Sequence, residues 1–425
     1  MAGRTTDGAD GHCGHRILAE YAQVQKKDNM NAPVFIVGAG IGGLTSALAL
    51  AAAGFKVELF EQSAYLSEVG AGLQLSPNAS RVLIALGLEQ ALADNAFEPE
   101  AAEVRHWRSG NLLSRGPLAD KARKRWGAAY YHIHRADLQQ LLLAAVRDNA
   151  KIRLHLNAPC KAVTALQDAV SLTLANGDSQ QAPLLIGADG IHSKVRQAVL
   201  GDERPSFTGH VAWRFMIPIE QLPADLVPPV AGLWMGPKAH FVHYYVAGQR
   251  YVNCAAVVEQ SAWQEESWTQ RGDKQDLLDS FSGWHPLIQQ LLAAADEQHC
   301  YRWGLFDRKP SQQWCKGRVA LLGDACHPTL PFLAQGAAMA IEDAAVLAQC
   351  LSNHAGDHVS GHTDIQAALT AYTKQRQARV ARVQNLSRRN GRIYHLTGLP
   401  AVARNLALRL GLVNPLKTMD WLYSQ

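Results

Sequence analysis

The stretch that decides the fold is Pro33–Glu61, which reads PVFIVGAGIGGLTSALALAAAGFKVELFE. It begins with Val34–Val37, an apolar run rich in β-branched residues that predicts a buried strand. A helical pattern rich in Ala and Leu follows, and a second predicted strand, Phe55–Phe60, ends at the acidic residue Glu61. Between the first strand and the helix stand three glycines in G-x-G-x-x-G spacing, Gly38, Gly40 and Gly43. This order predicts a βαβ unit that binds a dinucleotide.

Each part of this unit has a physical role in binding a dinucleotide. Gly38 permits the tight turn, Gly40 lets the backbone approach a pyrophosphate, and Gly43 lets the helix pack close to the strand. The helix N-terminus offers unpaired N–H groups and a positive dipole to the phosphates. Glu61 can accept hydrogen bonds from a ribose and argues against a ribose 2′-phosphate, but it does not separate NAD from FAD. The alternative is a glycine-rich turn without a ligand.

Size and composition set the wider limits. The 425 residues allow two substantial domains. A net charge of +4 fits anionic small ligands but is too small to indicate nucleic acid, and no nucleic-acid motif is present. The seven cysteines are scattered and none forms a CxxC pair, which favours a reducing cytoplasm. No apolar run reaches the roughly 20 residues of a membrane span, so we expect no membrane association.

The first 31 residues differ in composition from the rest of the chain. They are polar and lack the apolar core of a signal peptide, so we interpret 1–31 as a disordered extension. His12, Cys13 and His15 are metal-ligand types, but in such a tail we predict no metal site.

A second motif follows a predicted buried strand at Ala182–Gly187. Asp189 and Gly190 leave this strand, and Arg196 comes shortly afterwards. A carboxylate and a glycine in this position suit a loop beside a cofactor. The alternative is that Asp189 only caps the start of a helix.

A third motif lies in Gly317–Ala344. Asp324 follows the predicted strand Arg318–Leu322, at the carboxyl end where α/β folds place ligands. Gly336 then begins a predicted helix, whose N-terminus can stabilise negative charge on a bound cofactor ring.

The three motifs in this order resemble the class A FAD-dependent aromatic hydroxylases, in particular salicylate hydroxylases, 3-hydroxybenzoate 6-hydroxylases and 6-hydroxynicotinate 3-monooxygenases. The resemblance covers roughly Pro33–Leu351. It implies FAD as cofactor. It also implies NADH or NADPH as a co-substrate without a dedicated domain, since the chain has neither a second G-x-G-x-x-G nor a CxxC.

The resemblance also assigns roles to single residues. Arg135 matches an arginine near the ribityl–phosphate arm, and Asp324 matches the acid that binds the ribityl chain. The full set implied to bind the cofactor is Gly38, Gly40, Gly43, Glu61, Gln62, Gln74, Arg135, Asp189, Arg196, Asp324, Gly336 and Ala337.

The fold class implied is α/β: a Rossmann-like FAD-binding domain of the glutathione-reductase type, with an inserted antiparallel-sheet substrate domain and C-terminal helices. Strand-like segments between about 206 and 258 carry the antiparallel sheet, helical segments fill 261–295, and glycines with Pro77 predict a loop around Gln74. We predict an extension at 1–31, FAD-domain parts at 32–105, 131–205 and 307–365, substrate-domain parts at 106–130 and 206–306, and C-terminal helices at 366–425.

The segment 239–245, AHFVHYY, is the strongest candidate for the substrate side. In a strand, His240 and Tyr244 point to one face and His243 to the other. By resemblance we predict His240 as the base that helps remove a phenol proton and Tyr244 as its positioning partner. The alternative is a structural core histidine. The opposite wall of the pocket is predicted to hold Pro331, Phe332 and Leu333.

The implied reaction is hydroxylation of a phenolic aromatic acid with NAD(P)H and O₂ through a flavin C4a-hydroperoxide. A phenolate donates electrons better than a phenol, so a histidine base assists, and the site must exclude water. The alternatives are a larger, non-acidic substrate such as a quinone precursor or polyketide, or a flavoprotein oxidase or binding protein without hydroxylation.

The predicted helix Ala367–Arg392 carries a basic face, which we interpret as solvated. A dimer contact or attraction of NAD(P)H are the alternatives, and the protein is expected to be a monomer or a homodimer. The basic residues are Lys374, Arg376, Arg379, Arg382, Arg388, Arg389 and Arg392.

Overall fold

A computed structural model of the chain describes residues 32–66, 71–201, 203–261, 263, 271–355 and 364–424. The predicted extension 1–31 and residues 67–70 of the predicted loop lie outside these ranges.

The first sheet, called here the nucleotide sheet, holds the stretch that opens the sequence. Val34–Val37 lies at its centre and pairs in parallel with Leu185–Gly187 on one side and Val57–Phe60 on the other. All four of its residues are buried, which explains why the strand is apolar throughout rather than alternating. In spatial order the six strands are Cys315–Lys316, Val319–Leu321, Leu185–Gly187, Val34–Val37, Val57–Phe60 and Ile152–His155.

The second sheet, called here the roof sheet, carries the predicted substrate segment. Its seven strands in spatial order are Tyr301–Asp307, Ser206–Pro218, Tyr251–Glu259, Ala239–Val246, Ala231–Gly236, Ala101–His106 and Leu112–Pro117. The pairs are antiparallel except that Ala231–Gly236 runs parallel to Ala101–His106. The mixed α/β fold class predicted from the sequence is confirmed.

One predicted boundary is wrong by several residues. Ala101–His106 was expected to close the first part of the nucleotide domain at 105, but it is hydrogen-bonded into the roof sheet. The excursion into the second sheet therefore begins before residue 101. The other predicted boundaries remain predictions.

Two smaller sheets complete the strands. Gly72–Leu75 pairs with Tyr131–His134, so the loop predicted around Gln74 is in part a strand. The glycines at the strand end weaken the sequence signal for a strand. The partner strand also lies about 60 residues further along the chain, so the local sequence does not indicate the pairing. The other small sheet comprises Ser179–Ala182, Val170–Leu174 and Cys160–Ala165.

Helices cover the sheets and form the C-terminal arm. The part of the predicted helical region 261–295 that the structure describes contains two short helices. In chain order the α-helices are Ile41–Ala52, Pro77–Ala85, Glu89–Asn95, Asp120–Trp126, Arg135–Arg147, Lys194–Leu200, Lys274–Ser280, Pro286–Ala293, Gly336–Asn353, Ile365–Tyr394, Gly398–Arg409 and Asp420–Tyr423. Short 3₁₀ turns occur at Ile219–Gln221, Glu297–His299, Gly323–Ala325, Pro331–Leu333 and Lys417–Met419. Among the described residues, none of these helices combines the length and apolarity that crossing a bilayer requires.

The strand Ala239–Val246 separates a core from a cavity. Phe241 and Tyr245 pack into the core on the outer face of the roof sheet, with Trp234 and Phe281. The alternate residues His240, Val242 and Tyr244 line a large cavity on the inner face. Strand pleating thus sends the candidate catalytic side chains to the inner face.

Candidate active site

A cavity of about 1290 Å³ lies between the nucleotide sheet and the roof sheet. Pockets for one small ligand typically measure roughly 300–1,000 Å³, so this space is large enough for an extended cofactor together with a substrate. The carboxyl ends of the nucleotide-sheet strands form one end of it, and the inner face of the roof sheet forms the other.

The glycine turn at the nucleotide end has the geometry that a bound dinucleotide requires. Gly38 has φ +101°, and a Cβ at Gly43 would lie only 1.8 Å from the carbonyl oxygen of Gly38. A Cβ at Gly40 would meet nothing within 4 Å, and Gly40 lines the cavity. Two of the glycines therefore serve turn and packing, while Gly40 leaves open space that a pyrophosphate can enter beside the helix N-terminus.

Glu61 both borders the cavity and supports the glycine turn. Its carboxylate accepts hydrogen bonds from the backbone N–H groups of Ala39 and Ser63, each at 2.8 Å. Each oxygen keeps a second lone pair that a ribose hydroxyl can use. Gln62 lines the cavity beside it.

The middle of the cavity brings the third motif together with Arg135. Asp324, Gly336, Ala337 and Arg135 all line this region. Enclosure by protein raises the pKa of Asp324, while Arg135 and His327 act in the opposite sense. Gly336 begins the helix Gly336–Asn353, so its N-terminal N–H groups and dipole point toward this part of the cavity.

Asp189 lines the cavity, but its carboxylate is already used in the structure. It accepts hydrogen bonds from the backbone N–H groups of Lys194 and Val195 at 2.8 and 3.1 Å, and so caps the helix Lys194–Leu200. These contacts are the ones expected if Asp189 caps the start of a helix, which was the alternative to its predicted role beside a cofactor.

Arg196 is not among the residues that line the cavity, and its role in cofactor binding stays a prediction. Its guanidinium donates to the carbonyl groups of Ala325 and Cys326 and pairs with Glu203 at 2.7 Å. The side chain lies in the seam between its helix and the Asp324 turn. Arg196 therefore supports the turn from behind.

A buried ionic network supports the same turn from the other side. Arg376 pairs at 2.7 Å with both Asp343 and Glu342, and Asp343 also accepts from His327 and from the backbone N–H of Gly323. Burial would raise the pKa of Asp343, but His327 and Arg376 outweigh it and lower the pKa to about 2.

The prediction that this basic face is solvated is therefore wrong for several of its residues. Arg376 is buried, Arg379 pairs with Glu342 and Arg388 pairs with Asp307. These contacts hold the helix Ile365–Tyr394 to the body, a role that helical periodicity cannot separate from solvation.

The substrate end contains His240 and Tyr244. His240 is 3% exposed, and its Nδ1 atom lies 2.7 Å from Nε2 of His395. The Phe332 ring packs edge-on against it at 5.3 Å. Burial lowers the pKa of His240 well below the ordinary value, with His395 and His210 adding to the effect. Burial raises the pKa of Tyr244, although Arg214 opposes it, so Tyr244 keeps its proton as a donor.

Arg214 is a cavity residue that the sequence analysis missed. Its guanidinium lies 5.1 Å from the centre of the Trp303 ring, and its buried Nε has no hydrogen-bond partner within the described part of the chain. Burial lowers the pKa of Arg214 most strongly, while Tyr244 opposes this and Arg135 adds to it. The sequence feature that could have indicated Arg214 as a site residue is its position as the one charged residue within the apolar strand segment VAWRFMI, residues 211–217.

Residues 398–424, called here the C-terminal segment, contribute side chains to the wall of the cavity. Leu408, Leu416 and Met419 line it, and Asp420 fixes the segment by accepting a hydrogen bond from Trp126 Nε1 at 2.8 Å.

The remaining predicted residues also lie at the cavity. Gln74 lines it and accepts a hydrogen bond from the Tyr130 hydroxyl at 2.7 Å. The predicted wall residues Pro331, Phe332 and Leu333 all line the cavity.

The fold, the glycine turn and the large cavity fit an enzyme that holds a dinucleotide cofactor between its two sheets. The FAD binding domain family matches residues 31–387, and the chain belongs to this family. It is 38% identical over 367 residues to a 3-amino-4-hydroxybenzoate 2-monooxygenase of Streptomyces platensis, covering 86% of this chain and 89% of that protein. It is 36% identical over 364 residues to the 6-hydroxynicotinate 3-monooxygenase of Pseudomonas fluorescens, covering 84% and 90%.

A solved structure agrees with these relatives. The structure of Klebsiella pneumoniae HpxO complexed with FAD and uric acid matches with a TM-score of 0.80 and 28% identity, covering 92% of this chain and 96% of that chain. The chain is therefore a FAD-dependent monooxygenase of the class A aromatic hydroxylases, and the resemblance inferred from the motifs is confirmed.

Replacing Arg135 by alanine is expected to weaken FAD retention by about tenfold, because the cavity loses the cation that faces Asp324 and an anionic cofactor arm. The measurement is FAD fluorescence released during dialysis, compared with wild type. Unchanged retention would contradict a contact between Arg135 and FAD.

Proposed function

We propose that the protein hydroxylates a phenolic aromatic acid, with NADH or NADPH as electron donor and O₂ as oxidant. The observation that carries this substrate class is Arg214, a permanently charged group enclosed at the cavity wall with no acidic partner among the described residues. A buried cation without a partner is costly, and an anionic substrate group removes that cost when it binds.

The register of the roof sheet supports a specific orientation for such an acid. On the cavity face, His240 is in one cross-strand row with Val257 and Ala212, and Arg214 is in the next row with Ala255 and Val242. The two Cα atoms are thus about 12 Å apart, from a row spacing of about 7 Å and two strand spacings of about 4.8 Å. This leaves room for one aromatic ring with its carboxylate at Arg214 and its hydroxyl at His240.

His240 is the proposed base for the phenol. Its Nδ1 atom is occupied by His395, which leaves Nε2 for the cavity that His240 lines. A neutral imidazole offers a lone pair there. Tyr244, which remains protonated, donates to an oxygen of the bound acid.

The glycine turn, Arg135, Asp324 and the N-terminus at Gly336 would hold FAD, which would supply the redox chemistry with O₂. The protein's own contributions are orientation and exclusion of water. Phe332, Trp303 and the C-terminal segment enclose the substrate end with apolar surface. A dry site prevents loss of the activated oxygen as H₂O₂.

The direct test is NADH and NADPH oxidation by the FAD-loaded protein with a panel of acids, with product and H₂O₂ quantified. The panel contains 3-amino-4-hydroxybenzoate, 6-hydroxynicotinate, 3-hydroxybenzoate and salicylate. Strong stimulation with hydroxylated product and little peroxide supports the proposal. Indifference to every acid favours a larger, non-acidic substrate, and stimulation without hydroxylated product favours an oxidase.

Replacing Arg214 by glutamine tests the carboxylate contact. We expect the affinity for the preferred acid to fall about 10- to 100-fold, because a hydrogen bond to a charged group contributes about 1.5–3 kcal/mol. The measurement is the Kd from the flavin difference spectrum. A phenol that lacks the carboxylate serves as control, since its Kd should change little. An equal loss for both ligands would contradict the assignment.

A further inference from the structure

The side chain of the proposed base is almost fully buried, so its proton has little direct access to solvent. His240 is 3% exposed, and its pKa is held low by burial, so the imidazolium formed by deprotonating a substrate is a poor resting place for the proton. Turnover therefore requires that the proton move on from His240.

His395 and Glu259 connect His240 to the protein surface. His395, at the C-terminal end of the helix Ile365–Tyr394, places Nε2 2.7 Å from Nδ1 of His240. Its other ring nitrogen, Nδ1, lies 3.2 Å from Oε1 of Glu259. The His395 side chain is 1% exposed and the Glu259 side chain 41% exposed. The three groups thus lead from the cavity to solvent.

The three residues are held in this order by different elements. His240 and Glu259 belong to neighbouring strands of the roof sheet, and the carbonyl of His395 accepts from the backbone N–H of Lys238. The Arg404 guanidinium donates to the carbonyls of Ile393 and Tyr394 and so fixes the helix end.

We propose that His395 and Glu259 are positioning residues that set the tautomer of His240 and carry its proton to solvent. This inference rests on the proposed role of His240 as the base. The Glu259 carboxylate can only accept, so Nδ1 of His395 carries the hydrogen and Nε2 of His395 accepts. Nδ1 of His240 must then be the donor, which leaves the lone pair of its Nε2 toward the substrate.

The proton transfers balance along this chain. The substrate O–H bond breaks and an N–H bond forms at Nε2 of His240. The Nδ1 proton of His240 passes to Nε2 of His395, and the Nδ1 proton of His395 passes to Glu259 and then to water. The net result is a bound phenolate and one proton in solution, with both imidazoles neutral but in the opposite tautomers. When the product oxygen takes back the Nε2 proton of His240, the Nε2 proton of His395 returns to Nδ1 of His240 and one proton from solvent passes through Glu259 to Nδ1 of His395, which restores the starting tautomers.

The electrostatic surroundings of His240 and His395 disfavour a positive charge on either imidazole. In the described part of the chain, the titratable and charged groups beside this pair of histidines are His210, Glu259, Arg404 and Tyr394. Burial lowers the pKa of His395 to about 3, and His210 and Arg404 add to the effect. The lowered pKa values disfavour a charged imidazolium at both positions.

The experiment measures proton release when oxidised, FAD-loaded protein is mixed with 3-amino-4-hydroxybenzoate or 6-hydroxynicotinate, without reductant. A pH indicator in weak buffer follows the release by stopped flow. We expect His395→Ala to slow the release at least tenfold while FAD remains bound, and added imidazole to restore part of the rate. A purely structural role would not respond to imidazole.

Glu259→Gln keeps the inference testable if His395→Ala does not fold, because Glu259 lies at the surface. It should slow release by a smaller factor, and the matched control Glu220→Gln, at another exposed carboxylate, should not. Unchanged release in the His395 or Glu259 variants, with His240→Ala slow, would overturn the relay and leave the base intact. Unchanged release in His240→Ala, or no release from wild type with either acid, would instead remove the proposed base and the relay with it.

Discussion

Replacing His240 by alanine is expected to lower the rate of hydroxylation by about 10²- to 10⁴-fold, the range that a general base contributes. The physical reason is that the phenol must lose its proton to become a strong electron donor, and Nε2 of His240 is the proposed acceptor. FAD should remain bound, because the glycine turn and Arg135 lie at other parts of the cavity. The measurement is kcat for product formation together with flavin content.

The same strand offers a matched control. His243 is also buried, but it packs in the outer core and accepts a hydrogen bond from Trp234 Nε1 at 3.0 Å. His243→Gln keeps an acceptor at this position and should retain most of the activity. Full turnover in His240→Ala would remove His240 from the mechanism, and equal losses in both variants would point to damage of the strand.

Replacing Arg376 by methionine is expected to lower the free energy of unfolding by about 3–5 kcal/mol, the effect of removing one partner from a buried ion pair. Asp343 and Glu342, 0% and 6% exposed, would lose the cation that they share. The measurement is urea unfolding at saturating FAD, so that cofactor loss does not add to the difference. Arg392→Met, an exposed arginine on the same helix, should change stability by no more than about 0.5 kcal/mol.

The ionic network around Asp343 also predicts how the stability of the protein changes with pH. The pKa of Asp343 is lowered from 3.8 to about 2 in the folded protein. Its stabilising contribution is therefore fully present above pH 3.8 and is lost as the pH falls toward about 2. This loss should shrink in Arg376→Met. An equal acid dependence in both proteins would show that Arg376 does not hold Asp343 ionised.

Several local features of the site could be predicted from the sequence because they depend on neighbours in the chain. The glycine spacing, the helix beginning at Gly336 and the alternation of His240 and Tyr244 are of this kind. The motif order was enough to identify the family. The roles of Arg196 and Arg376 could not be predicted, because a charged side chain near a motif gives no sign of whether it faces a ligand, solvent or another part of the chain.

The sequence by itself determined the α/β class, the dinucleotide turn and the membership of the flavin hydroxylases, since these follow from backbone periodicity and from glycines that only a close approach requires. Only the tertiary structure decided which side chains meet in the cavity. His240 and His395 are 155 residues apart in the chain, and Arg214 reaches the same cavity as His240 through the register of the roof sheet. Such contacts depend on how strands pair and where a long helix ends, and both are set by packing of the whole chain.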